Sequence, residues 1–321
     1  MKLKFSLDWF IIALVGVLIL AYLFPNIGTI TKPVDIQKLT GYGITIIFFF
    51  YGLKLSPKKF TQGLGNWKMH VIIQLATFIL FPILLICLKP FFTNSNIWLS
   101  LFFVAALPST VSSSVVMVSL AKGNVPSAIF NATISSFGGI FITPLWMGIF
   151  MVTNNINVDS SEIVLKLVFQ ILVPIIAGSL LNKKLGTFAE KHSKSLKIFD
   201  QSIVLLIVYT SFCKSFKSGV FETISITQLA AILLGMAALF FAVFYILRYI
   251  SKLLHFNYPD SVTVLFCGSK KSLIHGVVIS KVLFSGTALA GFILVPIMMY
   301  HSIQLIIIGF MVQKMGKIIS V

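Results

Sequence analysis

Phe266-Cys267-Gly268-Ser269-Lys270-Lys271-Ser272-Leu273-Ile274-His275-Gly276 puts two adjacent lysines and a histidine in the middle of an apolar run. A lysine held at mid-bilayer costs from about 3 to above 10 kcal/mol, depending on the reference state. Such residues persist where they face a protein interior or a water-filled cavity, so the cluster is a candidate site. The plainer reading is a loop between two helices. Length argues against it, because a spanning helix needs about 20 residues. The stretch 273–284 is too short, whereas 261–284 is long enough and carries the lysines near its centre.

Outward from this stretch, the chain is apolar throughout. Its 321 residues are 58% hydrophobic and 10% charged, with a mean hydropathy of +1.02. A soluble domain carries about 25% charged residues. The sequence therefore predicts a polytopic membrane protein with no separate soluble domain between spans. A formal charge of +17 would suggest nucleic acid in a soluble chain. Here the lysines cluster between apolar runs, which fits anionic membrane lipids and topology control, and no nucleic-acid partner is expected. Cys87, Cys213 and Cys267 lie in apolar stretches without metal-ligand spacing, so neither a disulfide framework nor a metal site is expected. Lys2 and Lys4 precede the run 9–24, which lacks a small-residue cleavage site and reads as a retained first helix.

Apolar runs bounded by charge, Pro or Gly predict ten spans, at 8–25, 39–55, 69–88, 97–121, 126–152, 163–182, 198–213, 227–254, 259–285 and 286–312. Alternate connections then hold sixteen Lys and Arg on one side against seven on the other. The bias places both termini in the cytoplasm and favours an even number of spans. Every carboxylate (Asp8, Asp35, Asp159, Glu162, Glu190, Asp200, Glu222 and Asp260) is expected in a loop or near a helix end. A proton or sodium carrier usually holds a carboxylate at mid-membrane, so the centre of this chain reads as basic instead.

Two expected spans are interrupted. The fourth contains Pro108-Ser109-Thr110-Val111-Ser112-Ser113-Ser114, and the ninth contains Gly268 to Ser272 and then Gly276. Proline removes a helix donor, and hydroxyls can satisfy the freed backbone groups. Interrupted helices at corresponding places in two halves mark transporter binding sites, and their N-termini suit anions. The halves also echo each other: Gly139, Pro144 and Met147 repeat as Gly291, Pro296 and Met299. Five spans per half make the second copy inverted.

A set of stretches then carries a family resemblance: 47–55, 107–114, Gly123-Asn124, Phe130-Asn131, 209–213, Phe266-Cys267 with Lys271-Ser272-Leu273, and Tyr300-His301. Together they resemble the bile acid:sodium symporter superfamily (solute carrier family 10), and within it the divergent symporter-like branch that holds the seventh human member and its bacterial relatives. The resemblance covers nearly the whole chain. It implies one transmembrane transporter domain over 1–321, with repeats at about 1–152 and 153–321. Panel helices would fall at about 8–55 and 163–213, and core helices at about 69–152 and 227–312. The broken fourth and ninth helices would cross in the core and form the binding site. In the bile acid branch a glutamate and a glutamine of the ninth helix help hold sodium. They correspond here to Phe266 and Lys270. The Ser-Asn pair of the fourth helix corresponds to Ser113 and Ser114, and a third-helix glutamine to Thr77, with Gln74 one turn earlier. Sodium is therefore left open as a coupled ion, and no other cofactor is expected.

The candidate site residues are Ser112, Ser113, Ser114, Asn131, Ser269, Lys270, Lys271, Ser272, His275, Thr77 and Gln74. One lysine can stand in for a bound cation, bonded to hydroxyls of Ser112 to Ser114 and to backbone carbonyls, and the other can bind an anion; a buried lysine can also carry a coupling proton, and either can instead snorkel to an interface. Lys270 is the favoured stand-in, since it corresponds to an ion ligand. His275, four residues after Lys271, is expected on the same helical face, as proton acceptor or as a bonded structural histidine. Asn131, Gln74, Thr77 and His301 can contact solute or only tie helices together.

The sequence thus predicts an all-α, non-enzymatic transporter of an organic, anionic solute in a bacterial cytoplasmic (inner) membrane. It lacks HExxH, GxSxG and a membrane aspartate pair. The rival readings are a cation:proton antiporter and a non-transporting regulator of ion or lipid handling.

Overall fold

The computed structural model describes residues 9–30, 35–54, 66–153, 168–284 and 287–318, which are helical with no strand among them. The basic tail before Trp9, Lys58 and Lys59, and Asp8, Asp159 and Glu162 lie outside the described residues. In chain order the helices are α1 Trp9–Leu23, α2 Ile36–Leu53, α3 Trp67–Leu75, α4 Phe81–Leu88, α5 Ser95–Ala106, α6 Ser112–Leu120, α7 Val125–Thr153, α8 Val173–Lys191, α9 Ser193–Lys217, α10 Ile226–Leu253, α11 Tyr258–Gly268, α12 Leu273–Leu283 and α13 Leu294–Ile318.

Among the described residues seven helical stretches are long and apolar enough to cross a membrane: Trp67–Phe91, Val125–Met151, Val168–Lys191, Ser193–Lys217, Ile226–Leu253, Tyr258–Leu283 and Leu294–Val312. Shorter apolar helices, Ile12–Leu23, Lys38–Leu53 and Ser95–Ala106, fall on the other three expected stretches. The chain is an integral membrane protein. One expectation changes in detail. The connection read over 183–197 is helical, because α8 runs to Lys191 and α9 begins at Ser193. Its leucines, alanine, glutamate and lysines are good helix formers, and no proline interrupts them.

The described residues fall into two compact units. The first draws on Met1–Ser56, Val158–Ile224 and Val277–Leu294. Within it α2 and α8 approach closely: a Cβ at Gly52 would strike the Ile175 carbonyl, and one at Gly178 the Phe49 carbonyl. Small residues permit such contact where lipid supplies no hydrophobic drive between helices. Asn182 Nδ2 closes the crossing by donating to the Leu53 carbonyl at 2.6 Å. Asp200 departs from its expected place at a helix end. It lies two turns inside α9, buried, and its Oδ1 has no hydrogen-bond partner.

The second unit draws on Pro57–Asn157, Ser225–Gly276 and Val295–Val321. Its helices start on polar caps: Asn66 for α3, Asn94 for α5, Ser225 with Gln228 for α10 and Asn257 for α11. Each cap oxygen accepts one of the N–H groups a helix start leaves unpaired. Buried Asp260 in the first turn of α11 accepts from Asn66 Nδ2 at 3.0 Å and Asn124 Nδ2 at 2.9 Å. That carboxylate thereby ties the starts of three segments together.

Three departures from regular helix build the site. Between α3 and α4 the chain makes a π turn over Ala76–Leu80. The α5 helix stops at Ala106, with Leu107 extended at φ −72°, ψ 153°. A residue before proline is driven out of the helical region, and Pro108 follows. The third is the interruption 269–272 between α11 and α12. Both breaks read from the sequence are present.

Candidate functional site

The two breaks are bonded to each other. Ser272 N donates to the Pro108 carbonyl at 2.8 Å, and Ser109 Oγ to the Cys267 carbonyl at 2.6 Å. Ser135 Oγ receives Ser109 N at 2.8 Å, and Tyr300 donates its hydroxyl to the Ser269 carbonyl at 2.7 Å. A helix end leaves about four carbonyls without intrahelical donors. At the end of α5 the carbonyls of Ala105 and Leu107 take Lys271 Nζ, that of Ala106 takes Thr143 Oγ1, and that of Pro108 takes Ser272 N.

Lys271 is fully buried. Its Nζ donates to the carbonyls of Thr77 at 2.7 Å, Ala105 at 2.6 Å and Leu107 at 2.8 Å, and sits 4.1 Å from the centroid of the Phe81 ring. The Thr77 carbonyl is spare for a local reason. Phe81 N, its donor in α register, bonds Ala76 instead. Its donor in π register would be residue 82, a proline, which has no N–H. The main chain of Lys271 is fixed as well: Gln304 Oε1 accepts from Lys271 N at 2.9 Å, and Gln304 Nε2 donates to the Lys271 carbonyl at 2.9 Å.

Lys270 is equally buried but differently served. Its only hydrogen bond among the described residues runs from Nζ to Ser113 Oγ, at 3.4 Å. Ser113 passes its own proton to Thr110 Oγ1 at 2.9 Å, Thr110 and Ser114 share a bond at 2.8 Å, and Ser114 Oγ reaches the Phe266 carbonyl at 3.5 Å. Lys270 thus ends a chain of hydroxyls at the start of α6. Helix starts carry positive dipole ends, so ammonium, hydroxyls and dipole together form an environment suited to an anion. Ser112 opens α6, and its side chain lies outside the described residues.

The two partner sets expected around one stand-in lysine are split between both: the Ser113 hydroxyl serves Lys270, as expected for it, while the carbonyls serve Lys271. The expectation that His275 shares a helical face with Lys271 fails, because Lys271 lies in the break and α12 begins only at Leu273. His275 bonds Ser272 instead, Nδ1 to Oγ at 2.8 Å, and its main-chain N donates to the same hydroxyl. Ser269 turns inward on its own helix, donating to the Leu265 carbonyl.

Gln74 and Asn131 form a second group. Gln74 Nε2 donates to the Asn131 carbonyl and to Asn131 Oδ1, while Asn131 Nδ2 bonds His70 Nδ1 at 2.7 Å and the Ser127 carbonyl at 2.9 Å. These bonds tie α3 to α7. The Thr77 hydroxyl bonds back to Ile73, so its carbonyl serves the break cluster and its side chain does not. His301 Nδ1 accepts from Gln304 Nε2 at 2.9 Å. Sequence reading missed Gln304 and His70 as site groups, and it had Ser109, Thr110 and Tyr300 only as members of quoted stretches, not as candidate residues. A glutamine and a tyrosine inside the tenth apolar run were the available signal for Gln304 and Tyr300. Among the described residues no group of three or more His, Cys, Asp or Glu could hold a metal ion.

Broken helices bonded at their breaks, with buried lysines at one of them, are a pattern that suits a polytopic helical membrane protein of the transporter class. Residues 8–317 match the model of the SBF-like CPA transporter family, and the chain belongs to that family. It is 33% identical to an uncharacterized protein of Pseudomonas aeruginosa, over 98% of this chain and 94% of the relative. It is also 33% identical, over the same shares, to the protein of Escherichia coli named Putative symporter YfeH. Sodium/bile acid cotransporter 7 of Danio rerio is 31% identical, over 94% of this chain and 91% of that protein. The resemblance read from the sequence is thus shown, and the chain is a membrane transporter by family, with a small molecule as the implied substrate.

Proposed function

We propose that this chain is a secondary active transporter of an organic anion, working by alternating access in a bacterial inner membrane with ten crossings and both termini in the cytoplasm. One observation carries the reading: Lys270 is fully buried and, among the described residues, its ammonium has a single long hydrogen bond, to Ser113 Oγ. An ammonium has three donors, and a buried charge left short of partners is costly. A carboxylate, sulfate or phosphate placed there would take the unused donors in charge-assisted bonds. The Thr110–Ser113–Ser114 hydroxyls and the start of α6 would complete its shell. Exposing the break to one side and then the other would move the anion across. Two further facts support the panel-and-core reading: 1–56 and 158–224 fall in one compact unit, and 57–157 and 225–276 in the other. The stretch 277–294 groups with the first unit rather than with the expected core. The surrounding partners are membrane lipids.

The test is uptake from a mixture of organic carboxylates, sulfonates and phosphates into proteoliposomes, with the contents read by mass spectrometry. Wild type should accumulate one anion class above empty vesicles, and Lys270→Gln should not. Uptake that Lys270→Gln leaves intact would remove the ammonium from the site.

A second reading, cation:proton antiport, is favoured by buried Asp200, whose Oδ1 is unpartnered. Cation-dependent proton release from vesicles, abolished by Asp200→Asn and indifferent to Lys270→Gln, would select it.

A further inference from the structure

We propose that Lys271 is a resident monovalent cation: its ammonium fills a main-chain carbonyl cage at the broken helices whose donor set is that of a site for a free ammonium-type ion. The cage consists of the Thr77, Ala105 and Leu107 carbonyls at 2.7, 2.6 and 2.8 Å from Nζ, closed by the Phe81 ring at 4.1 Å. Carbonyls only accept hydrogen bonds. Three such bonds need three N–H donors, one more than a neutral amine has, so filling all three carbonyls calls for a charged ammonium.

The cage does not depend on the side chain for its shape. Thr77 is left spare by the π turn and Pro82, and Ala105 and Leu107 are left spare by the end of α5. Two of the three oxygens thus sit at the negative end of a helix dipole. Carbonyl oxygens that replace a hydration shell, with an aromatic face beside them, are the donor set for a desolvated monovalent cation. Among the described residues the partners of Nζ are these dipoles and the ring, not a carboxylate. Gln304 holds the Lys271 main chain at both its N–H and its carbonyl. The cation is therefore delivered to one place and cannot dissociate. The charge that a symporter would borrow from solution at this point is part of the polypeptide, and Lys270 is left for the solute.

The test uses chemical rescue. Lys271→Ala deletes Cγ to Nζ, which is n-propylammonium. Melting of the purified protein in detergent would be measured at fixed ionic strength with n-propylammonium, sodium or tetramethylammonium chloride, and with neutral 1-propanol. The variant should melt below wild type. Propylammonium should raise its melting temperature saturably, while tetramethylammonium, which has the charge but no N–H, and propanol, which has no charge, should not. Wild type should respond to none of them. Equal rescue by tetramethylammonium or propanol, absence of rescue, or specific stabilisation of wild type by sodium would overturn the proposal. If the alanine variant does not survive purification, Lys271→Met keeps the stem and removes the ammonium. It should melt below wild type, and a methionine variant as stable as wild type would overturn the proposal. The readout is stability alone, so this proposal and the transport reading can fail separately.

Discussion

Gln304 bears more of the site than any residue picked from the sequence. It sits on α13, far along the chain from Lys271, and its carboxamide pairs with the Lys271 N–H and carbonyl much as a neighbouring strand would. Gln304→Ala leaves one buried donor and one buried acceptor without partners, each costing about 1–3 kcal/mol. The expected outcome is a loss of about 2 kcal/mol or more, read as a lower melting temperature. Gln304→Glu should lose less, because a protonated carboxyl there can still accept from Lys271 N and donate to the Lys271 carbonyl. An alanine variant as stable as wild type would mean that the pairing is incidental. The residue scale also shows a limit of reading by correspondence. Lys270 was favoured as the cation because it falls where a relative has an ion ligand, yet the carbonyls went to its neighbour. The choice between adjacent lysines depends on which carbonyls three other segments leave spare, and that information is not local to either residue.

At the level of elements, the departures from regular helix were partly legible. Pro108 and the hydroxyls after it marked one break, and Gly268 to Ser272 the other. The π turn over Ala76–Leu80 was not foreseen, since its apolar sequence reads as plain helix. Pro82 is the physical reason it matters: without an N–H at 82, the Thr77 carbonyl has no π-register donor, and the Phe78 carbonyl takes the Trp146 indole at 2.9 Å. Pro82→Ala supplies that N–H. Losing Lys271 should then leave fewer carbonyls bare, so Lys271→Met should cost less in the Pro82→Ala background than alone. A double-mutant cycle on melting should show a coupling of about 1 kcal/mol, within the range found for residues sharing partners. Strict additivity would mean that the turn and the cage are independent.

For the whole molecule, apolar composition and the ten apolar runs were enough to predict an all-helical membrane protein, and the family match agrees. The reason is physical: lipid forces every backbone group to be satisfied within helices, so helix positions follow from hydropathy. Buried polar residues follow no such rule. Asp200, two turns inside α9, looked like an end residue because nothing in its neighbourhood distinguishes a helix start from a loop. The central claim is that buried lysine, not sodium, supplies the charge at the broken helices, and that Lys270 is the one open to an anionic solute. Melting of purified wild type and Lys270→Gln tests it most directly, across a panel of organic anions and across sodium concentration at fixed ionic strength. A ligand present at a hundred times its Kd stabilises the native state by about 2.7 kcal/mol. The account predicts that wild type is stabilised by one class of anion and ignores sodium, and that Lys270→Gln loses the anion response. Specific stabilisation of wild type by sodium, or an anion response that survives Lys270→Gln, would contradict it.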